Sequence, residues 1–240
     1  MLEAAHEAKK HNTDVVAGYI EPHDRPDTRR QAEGLETIPP LVVEYKGVKL
    51  REFDLDRALE RKPQLILVDE LAHTNAPGCR KEKRYQDVKE LLRAGIDVYT
   101  TINIQHLESL NDLVGSITHI EVRERIPDSV FDHADQVEVI DIEPEDLLAR
   151  TKEGKIYKPV QAERATKNFS KREKLAAPRE ITLRRTADRV NRIAEEERNI
   201  TGDMDYHTGE HILACISAAE SSAKVIRSAA RLAYAFRGQF

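Results

Sequence analysis

Residues 65–78 read LILVDELAHTNAPG: four aliphatic residues, then Asp69 and Glu70, then a polar loop carrying His73 and Asn75. An apolar run this short, bounded by turn residues, predicts a buried strand. The acid pair falls at its carboxyl end, where open α/β sheets present their ligand groups. An Asp in that place can help hold Mg²⁺ and a following Glu can orient an attacking water, the chemistry of nucleotide-hydrolysing sites. Four aliphatics before an acid are common in any α/β sheet, so specificity would have to come from a glycine-rich phosphate loop. No G-x-x-x-x-G-K-[ST] occurs in the 240 residues. The sequence therefore shows no nest of backbone N–H groups and Lys turned toward phosphates at a helix start.

Outward from this strand the chain alternates. Upstream, residues 2–11 have a helical pattern and residues 14–20 (DVVAGYI) read as another buried strand. Polar residues 21–34 suggest a loop and a short helix, and residues 35–53 a weaker strand region around a Gly47 turn. Residues 54–61 read as a helix with Asp54 or Asp56 available as its cap. Downstream come a helix at 82–94 closed by Gly95, a strand at 96–104, and a helix at 106–114 with Leu107, Leu110 and Val114 on one face. Strands are expected at 118–122 and 137–141, and a helix from Pro144. Strands separated by helices predict an α/β fold, a mostly parallel sheet with helices on both faces.

Beyond residue 156 the pattern changes. Residues 157–199 read as a highly charged helical extension, 200–209 as a polar linker, and 210–240 as a strand (HILACIS) followed by a helix. One strand and one helix cannot bury both faces of the strand, so 210–240 is expected to be the start of a second α/β domain.

Composition narrows the partners. Hydrophobic residues are 40% and charged residues 34%, which fits a chain with a real core. The formal net charge of −5 gives no overall attraction to nucleic acid or anionic lipid, so neither is expected as a partner. Cys79 and Cys215 lie far apart with no C-x-x-C, which argues against a disulfide framework or a thiolate zinc site and fits a reducing, cytoplasmic setting. No apolar run approaches the roughly 18 residues of a membrane span, and the opening MLEAAHEAKKHN is too polar for a signal peptide.

The stretch TTINIQHLESLND, residues 100–112, has two readings. Thr100, Thr101, Asn103, Gln105 and His106 can line a strand end and detect a phosphate. They can equally form a helix start, with Gln105 near the cap and Glu108 in the first turn. His6 and His11 are five apart and face different ways; His207 and His211 are four apart in a glycine-containing segment with no third ligand, so no metal site is expected there. The run RKEKR at 80–84 can contact phosphate or an acidic partner, although a short charge run opening a helix is usually a solvated face.

Longer stretches carry a family resemblance: FDLDRALERKPQLILVDELAHTNAPG, RYQDVKELLRAGIDVYTTINIQHLESLND, then VRERIPD, KEGKIY, QAERA and LRRTADRV. Over Met1 to about Asn191 the chain resembles the amino-terminal cytoplasmic domain of the osmosensitive potassium-channel sensor histidine kinases, the KdpD family. The resemblance implies a P-loop-NTPase-like domain in which Asp69 is the Walker B acid and a Walker A loop precedes a segment like MLEAAHEAKK. Met1 falls just after the place of that loop and of the strand before it, so the chain is expected to be a fragment with its ATP and Mg²⁺ site incomplete. Candidate residues are then Asp69 and Glu70 for Mg²⁺ and nucleotide, with His73, Asn75, Asn103, Gln105 and His106 as loop and strand-end sensors. Residues 211–240 look like the start of the family's universal-stress-protein-like domain. Some relatives bind cyclic di-AMP there through a Ser-x-Ser pair, but Ser217 is followed by Ala218 and Ala219 and Phe240 stands where an aromatic motif would begin, so that ligand is not expected. Full-length relatives are plasma-membrane proteins that autophosphorylate a His and pass the phosphoryl group to a response regulator controlling potassium uptake. The resemblance implies a regulatory part of such a kinase, on the cytoplasmic face, with the rest of the kinase as its partner. A weak NTPase and a nucleotide-independent interaction module are the alternatives.

Overall fold

The structure, a computed structural model, describes residues 1–23, 25–118, 122–152, 172–201, 212–218 and 222–236. It falls into two units, Met1–Leu183 and Arg184–Phe240. The expected boundary after residue 156 and most of the expected linker at 200–209 lie outside the described residues; the helix before that linker runs through Thr201.

The first unit is built on a parallel sheet of four strands in the order β2-β1-β5-β6. Its members are β1 (Val15–Tyr19), β2 (Glu36–Thr37), β5 (Leu65–Val68) and β6 (Asp97–Thr100). The strand alternation explains why both faces are covered. Val16, Ile66 and Val68 point to one side, where they pack with Leu55 and Ala58 of α3 (Leu55–Arg61) and Val88 and Leu91 of α4 (Arg84–Arg93). Val15, Ala17, Leu65 and Leu67 point to the other, against Leu2 and Ala5 of α1 (Leu2–Lys10), Ala32 of α2 (Pro26–Ala32) and Leu35. Each fully buried aliphatic side chain in these two layers contributes roughly 1.5–3 kcal/mol of transfer free energy.

Local chemistry sets the ends. Asp54 caps α3 by accepting from the Arg57 amide at 3.1 Å. Arg61, on the last turn of α3, grips Asp14 with two hydrogen bonds of 2.9 and 2.7 Å and Glu36 with two of 2.8 and 2.9 Å, tying the helix to the starts of β1 and β2. A separate antiparallel hairpin, β3 (Leu41–Tyr45) and β4 (Val48–Glu52), turns through Lys46 and Gly47 at φ of 51° and 77°. Two successive left-handed residues are what a two-residue hairpin turn requires, which is why glycine takes the second place.

Several expected strands are corrected. The strand expected at 96–104 stops at Thr100, because the Thr101 carbonyl accepts from the Leu71 amide and the chain then tightens into a 3₁₀ turn at Ile104–His106. The helix expected at 106–114 is α5 (Glu108–Thr118). The segment 137–141 is not a strand: Val137 packs on the core, but alternating burial without a paired backbone makes no ladder. Of the strand expected at 118–122, Thr118 ends α5 and Val122 is irregular, while 119–121 lie outside the described residues. Short helices follow, α6 (Asp128–Asp132) and α7 (Pro144–Lys152), then the long α8 (Arg172–Thr201).

In the second unit residues 212–217 form no strand, contrary to expectation; an extended apolar run becomes a strand only beside a partner backbone, and none pairs with it among the described residues. The expected helix is there as α9 (Ser222–Phe236), and the Ser222 hydroxyl donates to the Ser217 carbonyl at 2.7 Å.

Gly18 interrupts β1. The register slips between Ala17 and Tyr19 opposite Leu67 and Val68, and a Cβ on Gly18 would stand 2.7 Å from Ile66 Cδ1 and 2.8 Å from Phe53 Cε2. The irregularity re-aims Tyr19, as bulges beside sites commonly do. Gly18→Ala is expected to lower the unfolding free energy by about 1–3 kcal/mol through overpacking, measured by urea denaturation.

Candidate functional site at the carboxyl ends of the parallel strands

Asp69 leaves β5 with its amide still donating to the Tyr19 carbonyl at 2.9 Å, so its carboxylate is placed by the sheet itself. One carboxylate oxygen accepts from the Thr101 hydroxyl and from the Glu70 amide at 3.0 Å. The other accepts from the Glu21 amide at 3.3 Å. A single side chain thus fastens the ends of β1, β5 and β6. Glu70 follows in the left-handed region, φ 57°, a conformation that disfavours a side chain of this size. Its carboxylate lies 2.9 Å from His23 Nε2 and 3.7 Å from the Arg84 guanidinium.

Arg84 is the group sequence reasoning missed. The run RKEKR is not wholly a solvated face: Arg84, its last residue, is fully buried. Its guanidinium donates to the Asp69 carbonyl at 3.1 Å and to Glu52 at 3.3 Å, and stacks 4.1 Å above the Tyr19 ring. Glu52, at the end of β4, is equally buried and also takes His73 Nε2 at 3.0 Å and the Ala76 amide at 2.9 Å. Burial alone would push the Glu52 carboxyl up, yet His73, the Ala76 amide and Arg84 together hold it below the usual carboxylate range. Burial and the neighbouring carboxylates push the Tyr19 hydroxyl up to about 12. Two sequence signals could have found these residues. A cation in the first turn of a helix opposes the helix dipole, as Arg84 does in α4. An acid in step with Val48 and Leu50 along one strand falls on their face, as Glu52 does.

The remaining candidates divide. His73 joins the cluster through Glu52, and its other ring nitrogen lies 3.8 Å from Glu124. Asn75 turns away beneath the loop, donating to Asp87 at 2.7 Å and to the Lys81 carbonyl at 3.1 Å. Asn103, Gln105 and His106 sit beyond β6, in and just before the 3₁₀ turn, so Gln105 is not the cap of α5. The Asn103 carbonyl accepts from the His106 amide, the Gln105 carbonyl from Asn111, and His106 Nδ1 lies 2.8 Å from the Glu124 carbonyl. Glu124, whose carboxylate also accepts from the Thr74 amide at 2.8 Å, is the bridge between this group and His73.

Of the two halves of a Mg²⁺-nucleotide, the arrangement fits the metal half. Asp69 keeps about one of a carboxylate's four acceptor directions, enough for a metal-bound water. Among the described residues no cluster of three metal-binding side chains occurs, so these residues alone make no cation cage. The phosphate half does not fit. The amides of Glu21 and Glu70 and the Thr101 hydroxyl all point at Asp69, and Arg84 is enclosed by Glu52, Tyr19 and the Asp69 carbonyl.

Two measurements follow from this geometry. Arg84→Met is expected to destabilise the chain by about 3–5 kcal/mol in urea unfolding, because it leaves the Glu52 charge buried and short of a partner; Glu52→Leu added to it should recover a large part. Burial first, against the Asn75 hydrogen bond, raises the Asp87 carboxyl from 3.8 to about 6. The folded state then binds the proton more tightly, so this contribution is complete below 3.8 and is lost as pH rises to about 6, a penalty on the order of 3 kcal/mol at neutral pH. Relative to Asp87→Asn, the wild-type chain should gain stability as pH falls through that window, read from thermal midpoints.

Comparisons with known proteins agree with the sequence resemblance. The family model described as the osmosensitive K⁺ channel His kinase sensor domain matches residues 1–190. The sensor protein KdpD of Clostridium acetobutylicum is 56% identical over 241 residues, covering 100% of this chain and 27% of that protein. The sensor protein KdpD of Escherichia coli is 51% identical over 97% of this chain and 26% of its own length. A putative sensor protein KdpD of Synechocystis is 48% identical over 100% of this chain and 64% of its own length. The chain therefore spans about a quarter of the first two relatives and under two thirds of the third. Among the described residues no helix is long and apolar enough to cross a membrane. With a parallel α/β sheet, an acid pair at the end of its central strand and a family match over residues 1–190, this chain belongs to the KdpD family of osmosensitive K⁺ channel histidine kinase sensor domains.

Proposed function

We propose that the chain acts as a regulatory input module, and that its responsive centre is the ionic network at the ends of β1, β5 and β6. The observation that carries this reading is the linkage through Asp69 and Arg84. They tie four strand ends, the loop after β5 and the start of α4 into one set of charged contacts, where open α/β sheets receive ligands. A perturbation of one carboxylate is felt by all of these elements, which is what an input module requires. In the whole protein the module would bias a kinase core whose phosphoryl group passes from a His to a response regulator governing potassium uptake. Its place there would be the cytoplasmic face.

Mg²⁺-ATP is the ligand to test. Asp69 would take a metal-bound water, Glu70 would read the added charge against His23 and Arg84, and His73 and Asn75 would hold the loop that carries them. The described residues at these strand ends supply no phosphate cradle, so the role proposed is response and not turnover. Amide exchange of the 240-residue chain with and without Mg²⁺-ATP tests this. Added protection is expected at 19–23, 69–76 and 100–106, abolished by Asp69→Asn, with no phosphate release. Unchanged exchange and no heat of binding would remove the nucleotide and leave a docking module. Phosphate release that Asp69→Asn abolishes would instead make the chain an NTPase.

A further inference from the structure

The first unit contains a further arginine clamp, built like that of Arg61 and unlike that of Arg84. Arg179, on α8, donates from Nε and one terminal nitrogen to the two Asp141 oxygens at 2.6 and 2.7 Å. Its terminal nitrogens also donate to the two Glu143 oxygens, both at 2.8 Å. One guanidinium thus holds two carboxylates, each by a pair of charge-assisted hydrogen bonds, the geometry in which such pairs are strongest and most directional. The acids stand where the irregular segment 135–143 enters α7, and the Glu143 carbonyl accepts from the Leu147 amide at 3.0 Å in the first turn of that helix. The clamp therefore joins the start of α7 to α8.

The residue before Arg179 is Pro178, inside the helix. Its ring removes one backbone donor and crowds the carbonyl of residue 174, so the helix is weakest there. The Thr182 hydroxyl donates to the Pro178 carbonyl at 2.8 Å, a back-bond of the kind that also bends helices. A bending point and an anchor are thus adjacent residues.

Exposure separates Arg179 from Arg84. Arg84 is 0% exposed, whereas the Arg179, Asp141 and Glu143 side chains are 32, 38 and 57% exposed. Salt and competing anions reach the second set and are kept from the first.

We propose that Arg179, Asp141 and Glu143 form a releasable latch, and Pro178 its hinge, which together hold the part of α8 within the first unit against the start of α7. The latch has two arrangements. Closed, Arg179 fixes α8 to the start of α7; open, the helix bends at Pro178 and the 135–143 segment loses its anchor. The inference deepens the regulatory reading by supplying its moving part, but the contacts that define it involve none of the strand-end residues.

Amide exchange of the 240-residue chain without nucleotide tests the latch. Raising KCl from about 0.02 M to about 0.5 M shortens the screening length from roughly 20 Å to roughly 4 Å. Protection at 138–147 and at 176–183 is expected to fall together by about threefold or more, equally in NaCl, while β5 stays protected and reports an intact fold. Arg179→Gln should show the low protection at both salt levels. Pro178→Ala should raise protection at 176–183 and leave the salt response of 138–147 in place. A wild-type chain indifferent to salt, a response only to K⁺, or an Arg179→Gln chain that responds like wild type would overturn the latch, and an inert Pro178→Ala would overturn the hinge. None of these outcomes bears on the response to Mg²⁺-ATP, so each idea can fail alone.

Discussion

A guanidinium with no access to water must find its partners within the fold, and Arg84, whose Nε finds none, shows how much structure that demands. Its donors take the Asp69 carbonyl and Glu52, and its face takes the Tyr19 ring. Glu52 in turn is buried and needs donors, which His73 and the Ala76 amide provide. The β3–β4 hairpin, the loop after β5, the first turn of α4 and the slipped end of β1 are therefore located by one charge requirement. A pair of this kind contributes little net stability against an apolar replacement, but half of it is costly. Its effect is to admit one arrangement of these elements and to penalise the others.

Around this fixed point the acids at the strand ends are set to different tasks. Asp69 has its oxygens held by donors from two neighbouring strand ends and its own chain, which fixes its direction. Glu70 is in an unfavourable backbone conformation, with its carboxylate between a partly exposed imidazole and the edge of the Arg84 group. Strained residues persist where the surroundings over-determine them, and such places are frequent at ligand and switch sites. Asp87 is a third case, an acid whose burial raises its affinity for a proton and whose partner Asn75 holds the loop to α4. Three acids of one region thus differ in how firmly they are held.

The clamps of Arg84 and Arg179 divide the first unit in a similar way. The buried one belongs to the part that cannot rearrange without unfolding locally, since its groups have no water to turn to. The half-exposed one, next to a proline, can exchange its carboxylates for water at little cost. Rigid core and adjustable periphery are therefore distinguished by solvent access more than by the number of contacts.

Much of this was legible from residues alone. The aliphatic runs at 14–20 and 64–69, the Asp54 cap, the Gly47 turn and the long matching stretches determined the parallel α/β class and the family, because periodicity and turn chemistry are local properties. Asp69 and Glu70 were placed by the end of a strand. The failures were non-local. Residues 137–141 and 212–217 have the apolar runs of strands but, among the described residues, no partner backbone in a ladder, and no sequence period encodes a partner. Arg84 looked like one of a solvated run, and Glu52 like the edge of a weak hairpin, until the fold brought residues 32 apart in the chain within 3.3 Å. Gln105 and His106, read as the lining of a strand end or the start of a helix, lie in a 3₁₀ turn of their own because β6 stops at Thr100. Sequence by itself determined the parallel α/β class and the family; only the tertiary structure decided which apolar runs pair as strands and which charges are buried, since pairing and burial both depend on what distant segments bring alongside.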